Sequence, residues 1–186
     1  MKIGHRFLIF LFPVVLFSCE TDLEKVNLLS SIDNLPVETT MDAEILYSDS
    51  AKVKMKLTAP VWNRYAEKNP RIELPKGVHI ILYEDSLTVK STLTANYAVR
   101  YEEKKLMEAN GNVIVVNERG ECLNTEHLIW NEASRKIYTK EFVKITTADE
   151  VIFGDGLESN EDFSKYKITN IKGRSEERRV GKECRL

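Results

Sequence analysis

The sequence predicts an all-β fold made of short antiparallel strands. Apolar and polar residues alternate over several short runs between residues 41 and 173, which is typical of strands that bury one face. Clusters of Gly, Asn, Asp and Ser separate these runs, as turns do. After Thr40 no stretch keeps the periodicity of a long amphipathic helix.

The composition is that of one folded domain with a leader. The chain has 186 residues, of which 42% are hydrophobic and 30% charged, and a typical domain has about 100–150 residues. Its 27 basic and 29 acidic residues nearly cancel. Because a protein that binds nucleic acid needs a basic surface for the phosphates, we expect no nucleic-acid partner.

Residues 1–18 have the pattern of a signal peptide. A basic leader containing Lys2 and Arg6 precedes an apolar run over residues 7–17. That run is too short for a bilayer core, which takes about 20 apolar residues in a helix. We therefore expect the rest of the chain to be exported from the cytoplasm.

The apolar run ends at Leu16-Phe17-Ser18-Cys19, which resembles a lipobox, the recognition site of lipoprotein signal peptidase. The resemblance implies cleavage before Cys19, diacylation of its thiol and acylation of the new amine. Several acyl chains hold a protein firmly at a membrane, whereas one chain binds only marginally. An uncleaved signal anchor, with residues 7–17 staying in the bilayer, is the alternative.

Residues 19–40 predict a tether, because they mix acidic residues, serines and a proline with few aromatic residues. The folded domain is expected over residues 41–173. Its clearest strand covers residues 52–57, where Val53, Met55 and Leu57 alternate with three lysines. Similar alternation occurs over residues 87–93, 136–139 and 142–146, whereas residues 78–83 and 113–116 are apolar on both faces, as central strands are. Turns are predicted between them, including residues 102–105, 110–112 and 154–156.

The domain also contains a repeated pattern. Three segments share the pattern Leu-x-x-x-x followed by an aromatic or apolar residue. They are LTAPVWNRY at Leu57, LTANYAVRY at Leu93 and LNTEHLIWN at Leu123. A final copy begins near Gly156, with Phe163 and Ile168 in place of the aromatic residues. A strand-turn-strand unit cannot bury its apolar face alone, so neighbouring units are expected to close over a shared interior.

Three motifs in order resemble the OstA-like repeats of lipopolysaccharide-export proteins. They are the Gly111-Asn112-Val113 turn, the Leu-x-Thr-x-x-Leu strand that starts at Leu123, and the strand Lys136-Ile137-Tyr138-Thr139. Together with the N-terminal anchor and the upstream segments LTAPVW and LPKGVHIILYED, they make residues 41–173 resemble the LptC family. That family is the membrane-anchored periplasmic component of the lipopolysaccharide transporter.

The resemblance implies a single twisted, boat-shaped antiparallel β-jellyroll whose open apolar groove cradles the acyl chains of lipopolysaccharide. Inward aliphatic side chains at every second position supply such a water-free surface. The predicted groove residues are Val53, Met55, Leu57, Val78, Ile80, Leu82, Leu87, Val89, Leu93, Val113, Val115, Leu128, Trp130, Ile137, Val143 and Ile145. Each of them alone is equally consistent with an ordinary core side chain.

The resemblance also implies partners and a location. At the periplasmic face of the inner membrane, the chain would accept lipopolysaccharide from an ABC transporter and pass it to a periplasmic bridge protein of the OstA-like family. Exposed edge strands allow such jellyrolls to pair. The edge residues expected are Ala43, Ile45 and Tyr47 toward the permease jellyroll of the transporter, and Tyr166, Ile168 and Ile171 toward the bridge protein.

Residues 174–186 depart from the strand pattern and look like translated vector or adapter sequence, with a genuine basic tail as the alternative. If this tail is not native, then neither is Cys184. In the oxidising periplasm Cys122 and Cys184 are able to pair. Because Cys184 lies in the tail that looks non-native, we nevertheless do not expect a native disulfide at Cys122.

The remaining residues give little sign of catalysis. The three histidines are scattered, and the spacing of Cys122 and His127 fits no familiar metal template, so we expect no metal or cofactor. Nothing in the local sequence singles out an acid-base pair such as Glu102 and Asp155. Two alternatives stay open: a lipid-anchored glycan-binding or adhesive β-domain with exposed aromatic residues, and a small lipoprotein hydrolase with perturbed titratable groups in a cleft.

Overall fold

The computed structural model describes residues 35–66, 69–84 and 87–176. The signal peptide, Cys19, most of the predicted tether and residues 177–186 lie outside the described residues. From Pro36 onward the described residues belong to one compact unit. Every regular element in that part of the chain is a β-strand, which confirms the all-β prediction.

The unit contains 11 strands, and all of their pairings are antiparallel. The strands are β1 (Glu38–Asp49), β2 (Lys52–Tyr65), β3 (Arg71–Leu74), β4 (Val78–Tyr83), β5 (Val89–Ala95), β6 (Tyr97–Tyr101), β7 (Leu106–Asn117), β8 (Cys122–Asn131), β9 (Lys136–Thr146), β10 (Glu150–Asn160) and β11 (Tyr166–Glu176). They form one sheet in the order β11-β10-β9-β8-β7-β5-β4-β2-β3-β6, and β1 pairs with β2. This arrangement is consistent with a β-jellyroll.

The middle of the sheet closes on itself because β6 pairs with both β3 and β7. Strand β2 pairs with β4 through residues 55–58 and with β3 through residues 63–65. Strand β7 likewise pairs with β5 through residues 114–117 and with β6 through residues 106–110. Each of the two long strands thus contributes to two walls. The β4–β5 wall consists of β4, β5 and the parts of β2 and β7 that pair with them. The β3–β6 wall consists of β3, β6 and the other parts of β2 and β7, and it continues from β7 through residues 127–131 of β8 and 136–138 of β9. Both walls contribute to the cluster of buried side chains.

The long strands carry irregularities where two turns were predicted. Residues 110–112 and 154–156 were expected to separate strands, but they lie inside β7 and β10, so those turn predictions are wrong. The pairing of β7 with β8 skips from Asn110 to Val113, and Gly111 and Gly156 have φ of 73° and 76°. Bulges of this kind bend a strand while its pairing resumes on the far side. The segment 102–105, by contrast, is the predicted turn, between β6 and β7.

The strands extend slightly beyond the predicted domain. Strand β1 begins at Glu38, within the predicted tether, and β11 ends at Glu176, within the predicted non-native tail. The sheet therefore includes residues on both sides of the range 41–173.

Cys122 begins β8 in a fully buried position, and its sulfur is disulfide-bonded. The other two cysteines of the chain lie outside the described residues. The expectation of no native disulfide at Cys122 concerns a partner cysteine outside the described residues, so it stays a prediction. It rests on the tail sequence alone and not on the surroundings of Cys122.

Candidate functional site: an apolar cavity between the two walls

An apolar cavity of about 40 Å³ lies in the interior of the unit. Strands from both walls contribute to it, and the segment between β10 and β11 closes one side. Its lining residues are Ile80, Leu82, Ser91, Leu93, Met107, Ala109, Val115, Leu128, Trp130, Ile137, Glu161 and Phe163.

Cross-strand pairing explains why these side chains meet. On the β4–β5 wall, Leu93 lies opposite Ile80 on one side and opposite Val115 on the other, which gives an apolar row across three strands. A second row is formed by Trp130, which pairs with Met107 of β7 and with Ile137 of β9. Directly opposed residues on one face of a sheet have Cβ atoms about 5 Å apart, so each row is a continuous surface.

The structure brings together part of the predicted groove set. The cavity is lined by seven of its members, namely Ile80, Leu82, Leu93, Val115, Leu128, Trp130 and Ile137. The buried core beside it contains Leu57, Val78, Val113, Val143 and Ile145, and Met55 packs against that core. Val53 is half-buried on β2 and does not line the cavity.

Two predicted groove residues lie elsewhere. Leu87 and Val89 are 61% and 47% exposed, so they do not belong with the interior set. Strand β5 begins only at Val89, and Leu87 precedes it in a turn with φ of 59°. The turn, and not the alternation of a strand, therefore sets where the side chain of Leu87 lies.

Sequence reasoning missed five lining residues: Ser91, Met107, Ala109, Glu161 and Phe163. Alternation along the chain places Ser91 between Val89 and Leu93 on the same face, but a polar residue was not expected there. Met107 and Ala109 continue the inward face of Val113 and Val115. Phe163 was noted only as a repeat position, because no local pattern shows that its segment folds back on the cavity.

Phe163 is held in the cavity wall by polar contacts of its own segment. Its side chain is only 5% exposed, and its φ is 56°, which is unfavourable for a bulky residue. The amide nitrogen Nδ2 of Asn117 donates to its carbonyl oxygen at 3.3 Å. Lys90 Nζ of β5 lies 2.8 Å from Asp162 Oδ2, beside it. These contacts fix a segment that has no strand pairing.

The carboxylate of Asp162 is the centre of these contacts. Burial raises its pKa, but hydrogen bonds from Lys90 and from the hydroxyl and backbone N–H of Ser164 outweigh burial and lower the pKa from 3.8 to about 2. The hydroxyl and the N–H of Ser164 donate to Oδ1 at 2.7 and 3.0 Å. The ionised form therefore ties the segment at residues 161–165 to β5.

Replacing Asp162 with asparagine is expected to make the stability less sensitive to acid. A carboxyl whose pKa falls on folding stabilises the fold above its unfolded pKa of about 3.9 and stops doing so as the pH falls toward 2. The shift corresponds to roughly 2 kcal/mol. Urea unfolding between pH 7 and pH 2.5 measures it. The wild type should lose most of this amount by pH 2.5, because loss is complete only below the folded pKa of about 2. D162N should lack it throughout, and the exposed-site control D149N should follow the wild type.

A buried nitrogen in the cavity wall has no hydrogen-bond partner. It is the indole Nε1 of Trp130, for which the described part of the chain offers no acceptor. Removing such a donor from water without a new partner costs about 1–3 kcal/mol. Trp130 is thus one of three lining residues with a polar side-chain atom, the others being Ser91 and Glu161.

The predicted edge residues are only partly available to a partner. On β1, Ala43 is buried and Ile45 packs against the core, while Tyr47 is exposed. On β11, Tyr166 and Ile168 pack against the core and Ile171 is exposed. Among the described strands, β1 pairs with β2 alone and β11 with β10 alone, so each has one open side.

The outer face of the described strands carries a stacked aromatic pair. The rings of Phe142 and Phe153 lie 6.1 Å apart between centroids at an interplanar angle of 20°, and Phe142 is half exposed. Within residues 35–66, 69–84 and 87–176, no three His, Cys, Asp or Glu side chains are grouped to hold a metal ion. The same ranges contain no helix long and apolar enough to cross a membrane.

Comparison with known proteins identifies the family. The family model described as "Lipopolysaccharide-assembly, LptC-related" matches residues 21–176, which includes all 11 strands. No curated protein matches the chain. The family acts in lipopolysaccharide transport and assembly, and its members are periplasmic proteins associated with the inner membrane. The chain therefore belongs to the LptC-related family of lipopolysaccharide-assembly proteins.

Proposed function

We propose that this chain accepts lipopolysaccharide from an inner-membrane ABC transporter and passes its acyl chains through the apolar interior to a periplasmic bridge protein. The observation that carries this proposal is the pair of facing apolar rows around the cavity, in a chain of this family. Acyl chains that contact such rows leave water at a gain of about 25 cal/mol per Å² of apolar surface. The chain hydrolyses nothing in this role.

The interior has to widen to accept an acyl chain. A cavity of about 40 Å³ holds only a few water molecules, each of which needs roughly 10–15 Å³ on the same measure. The segment at residues 161–165 is the part of the wall best suited to move, because it has no strand pairing. Side-chain contacts and turn hydrogen bonds alone hold it in place. Displacement of Phe163 would join the cavity to the surface.

The open sides of β1 and β11 are proposed to pair with the partner jellyrolls. Unpaired backbone groups of an edge strand extend a neighbouring sheet readily. The side of β1 near Tyr47 would meet the permease jellyroll of the transporter, and the side of β11 near Ile171 would meet the bridge protein. Because Ala43, Ile45, Tyr166 and Ile168 face the core, they would contribute their backbone groups and not their side chains.

The anchor remains a proposal because residues 1–34 lie outside the described part of the chain. A lipidated Cys19, with residues 1–18 removed and residues 19–40 as the tether, would hold the domain at the periplasmic face of the inner membrane. An uncleaved signal anchor would serve the same purpose. The mass of the mature N-terminal peptide distinguishes the two.

Photocrosslinking in living cells tests the transport proposal. A photoreactive residue is placed at Leu82, Val115 or Trp130 in the cavity wall, and at the exposed Phe142 as a matched control. We expect adducts that carry lipopolysaccharide from the first three positions and none from Phe142. Crosslinks from the wall positions only to other parts of the same chain would show a sealed core and contradict the proposal.

A glycan-binding function is the second candidate, because exposed stacked rings are surfaces on which sugars pack. Among the residues that the structure describes, the Phe142–Phe153 pair is the observation that supports it. If the chain binds glycans through these rings, Phe142→Ala abolishes its retention on polysaccharide resins. If the chain transports lipopolysaccharide, Phe142→Ala leaves lipopolysaccharide crosslinking from Leu82 unchanged.

A further inference from the structure

Trp130 combines two properties that seldom occur together. Its indole is part of the wall of the apolar cavity, and its Nε1 is buried with no acceptor in the described part of the chain. A buried N–H without a partner bears the full cost of its desolvation. A phenylalanine at this position would fill most of the same space without that cost.

The surroundings of Trp130 do not supply an acceptor. Its cross-strand neighbours Met107 and Ile137 are apolar, as is Leu128 on the same strand. Glu161 lines the same cavity, but its carboxylate accepts hydrogen bonds from Arg135. The N–H of Trp130 is therefore an unused donor in a wall whose other residues, apart from Ser91 and Glu161, are apolar.

We propose that the indole N–H of Trp130 donates a hydrogen bond to an oxygen atom carried by the bound acyl chain, such as a chain hydroxyl. This inference rests on the proposed lipid-binding function and specifies its substrate class. The wall accepts hydrocarbon along most of its length and recognises one oxygen at a fixed depth. The site would consequently bind oxygen-bearing acyl chains more tightly than plain hydrocarbon chains, and Trp130 would fix the position of the chain.

The test uses two probes of equal chain length with the purified full-length chain. One is 3-hydroxytetradecanoate, which carries acceptor oxygens, and the other is tetradecyltrimethylammonium, which carries none. The chain has two tryptophans, so the indole region of a ¹H–¹⁵N spectrum should contain one signal from Trp130 and one from Trp62 as an internal control. We expect the hydroxy acid to move the indole proton of Trp130 downfield, the ammonium probe not to do so, and the Trp62 signal to stay in place with both.

Affinities of a matched pair of variants complete the test. Trp130→Phe should bind the hydroxy acid about two- to tenfold more weakly, the range expected for one net hydrogen bond, and bind the ammonium probe as the wild type does. Trp62→Phe, which changes a partly buried tryptophan outside the cavity wall, should bind both probes unchanged.

The outcomes separate this inference from the function on which it rests. The first outcome is that both probes bind but the hydroxy acid does not move the Trp130 indole proton downfield, and Trp130→Phe weakens the binding of both probes equally or of neither. This outcome refutes the role of the N–H and leaves lipid binding intact. If neither probe binds the wild-type chain, the lipid-binding function itself is refuted and the inference with it.

Discussion

Leu82→Asp is expected to lower the affinity of the chain for lipopolysaccharide by at least about tenfold. Leu82 is a half-buried residue of β4 in the cavity wall, opposite Ser91 of β5. An acyl chain in the cavity would strip water from the new carboxylate, which costs several kcal/mol, and each 1.4 kcal/mol is a factor of ten. Without ligand the carboxylate can still reach water, because Leu82 is not fully buried, so the fold should survive.

Leu46→Asp is the matched control for this variant. Leu46 lies on β1 with 55% of its surface exposed and does not line the cavity. Equilibrium titration of lipopolysaccharide into the purified full-length chain gives the affinities, and thermal unfolding checks that both variants fold. Equal affinities for L82D and L46D would contradict the placement of the acyl chains between the walls.

Gly154→Ala is expected to destabilise the fold by about 1–3 kcal/mol. A Cβ atom at Gly154 would lie 2.5 Å from Cγ2 of Ile168 and 2.6 Å from the backbone oxygen of Asn170. The first contact is with a methyl group on the branched Cβ of Ile168, which is stiff at χ1, and the second is with the backbone of β11. Strand β11 would therefore have to shift away from β10 at the bulge between Phe153 and Gly154.

Gly173→Ala is the control for the effect of a methyl group on this strand pair. Gly173 lies opposite Phe153 in the same ladder, and a Cβ atom there would meet nothing within 4 Å. We expect its stability to stay within about 0.5 kcal/mol of the wild type. Urea unfolding measures both variants, and amide exchange should show lost protection in β11 of G154A alone. Equal stability of the two variants would mean that β11 is not packed as described.

The alternation of apolar residues predicted the strands well because it is a local signal. Val78, Ile80 and Leu82 alternate along β4, and this is enough to place two of them in the cavity wall. Local patterns also misled. Residues 110–112 contain an Asn-Gly pair that usually marks a turn, yet β7 passes through them because both of its halves find partners in β8.

The features that escaped prediction depend on contacts between distant residues. The pairing of β6 with β3 and β7, which creates the two walls, has no signature in any one segment. Phe163 reaches the cavity because Lys90 and Asn117, far away in the sequence, hold its segment. The unpartnered N–H of Trp130 likewise becomes visible only when every neighbour of the indole is known.

Intermolecular NOEs test most directly whether acyl chains lie between the two walls of the sheet. The full-length chain is deuterated, carries protonated methyl groups and is loaded with lipopolysaccharide. We predict NOEs from the acyl methylene protons to the methyl groups of Leu93, Val115 and Leu128, all of which line the cavity. NOEs only to the exposed methyl groups of Leu46, Leu87 and Ile171 would place the lipid on the surface and contradict the account.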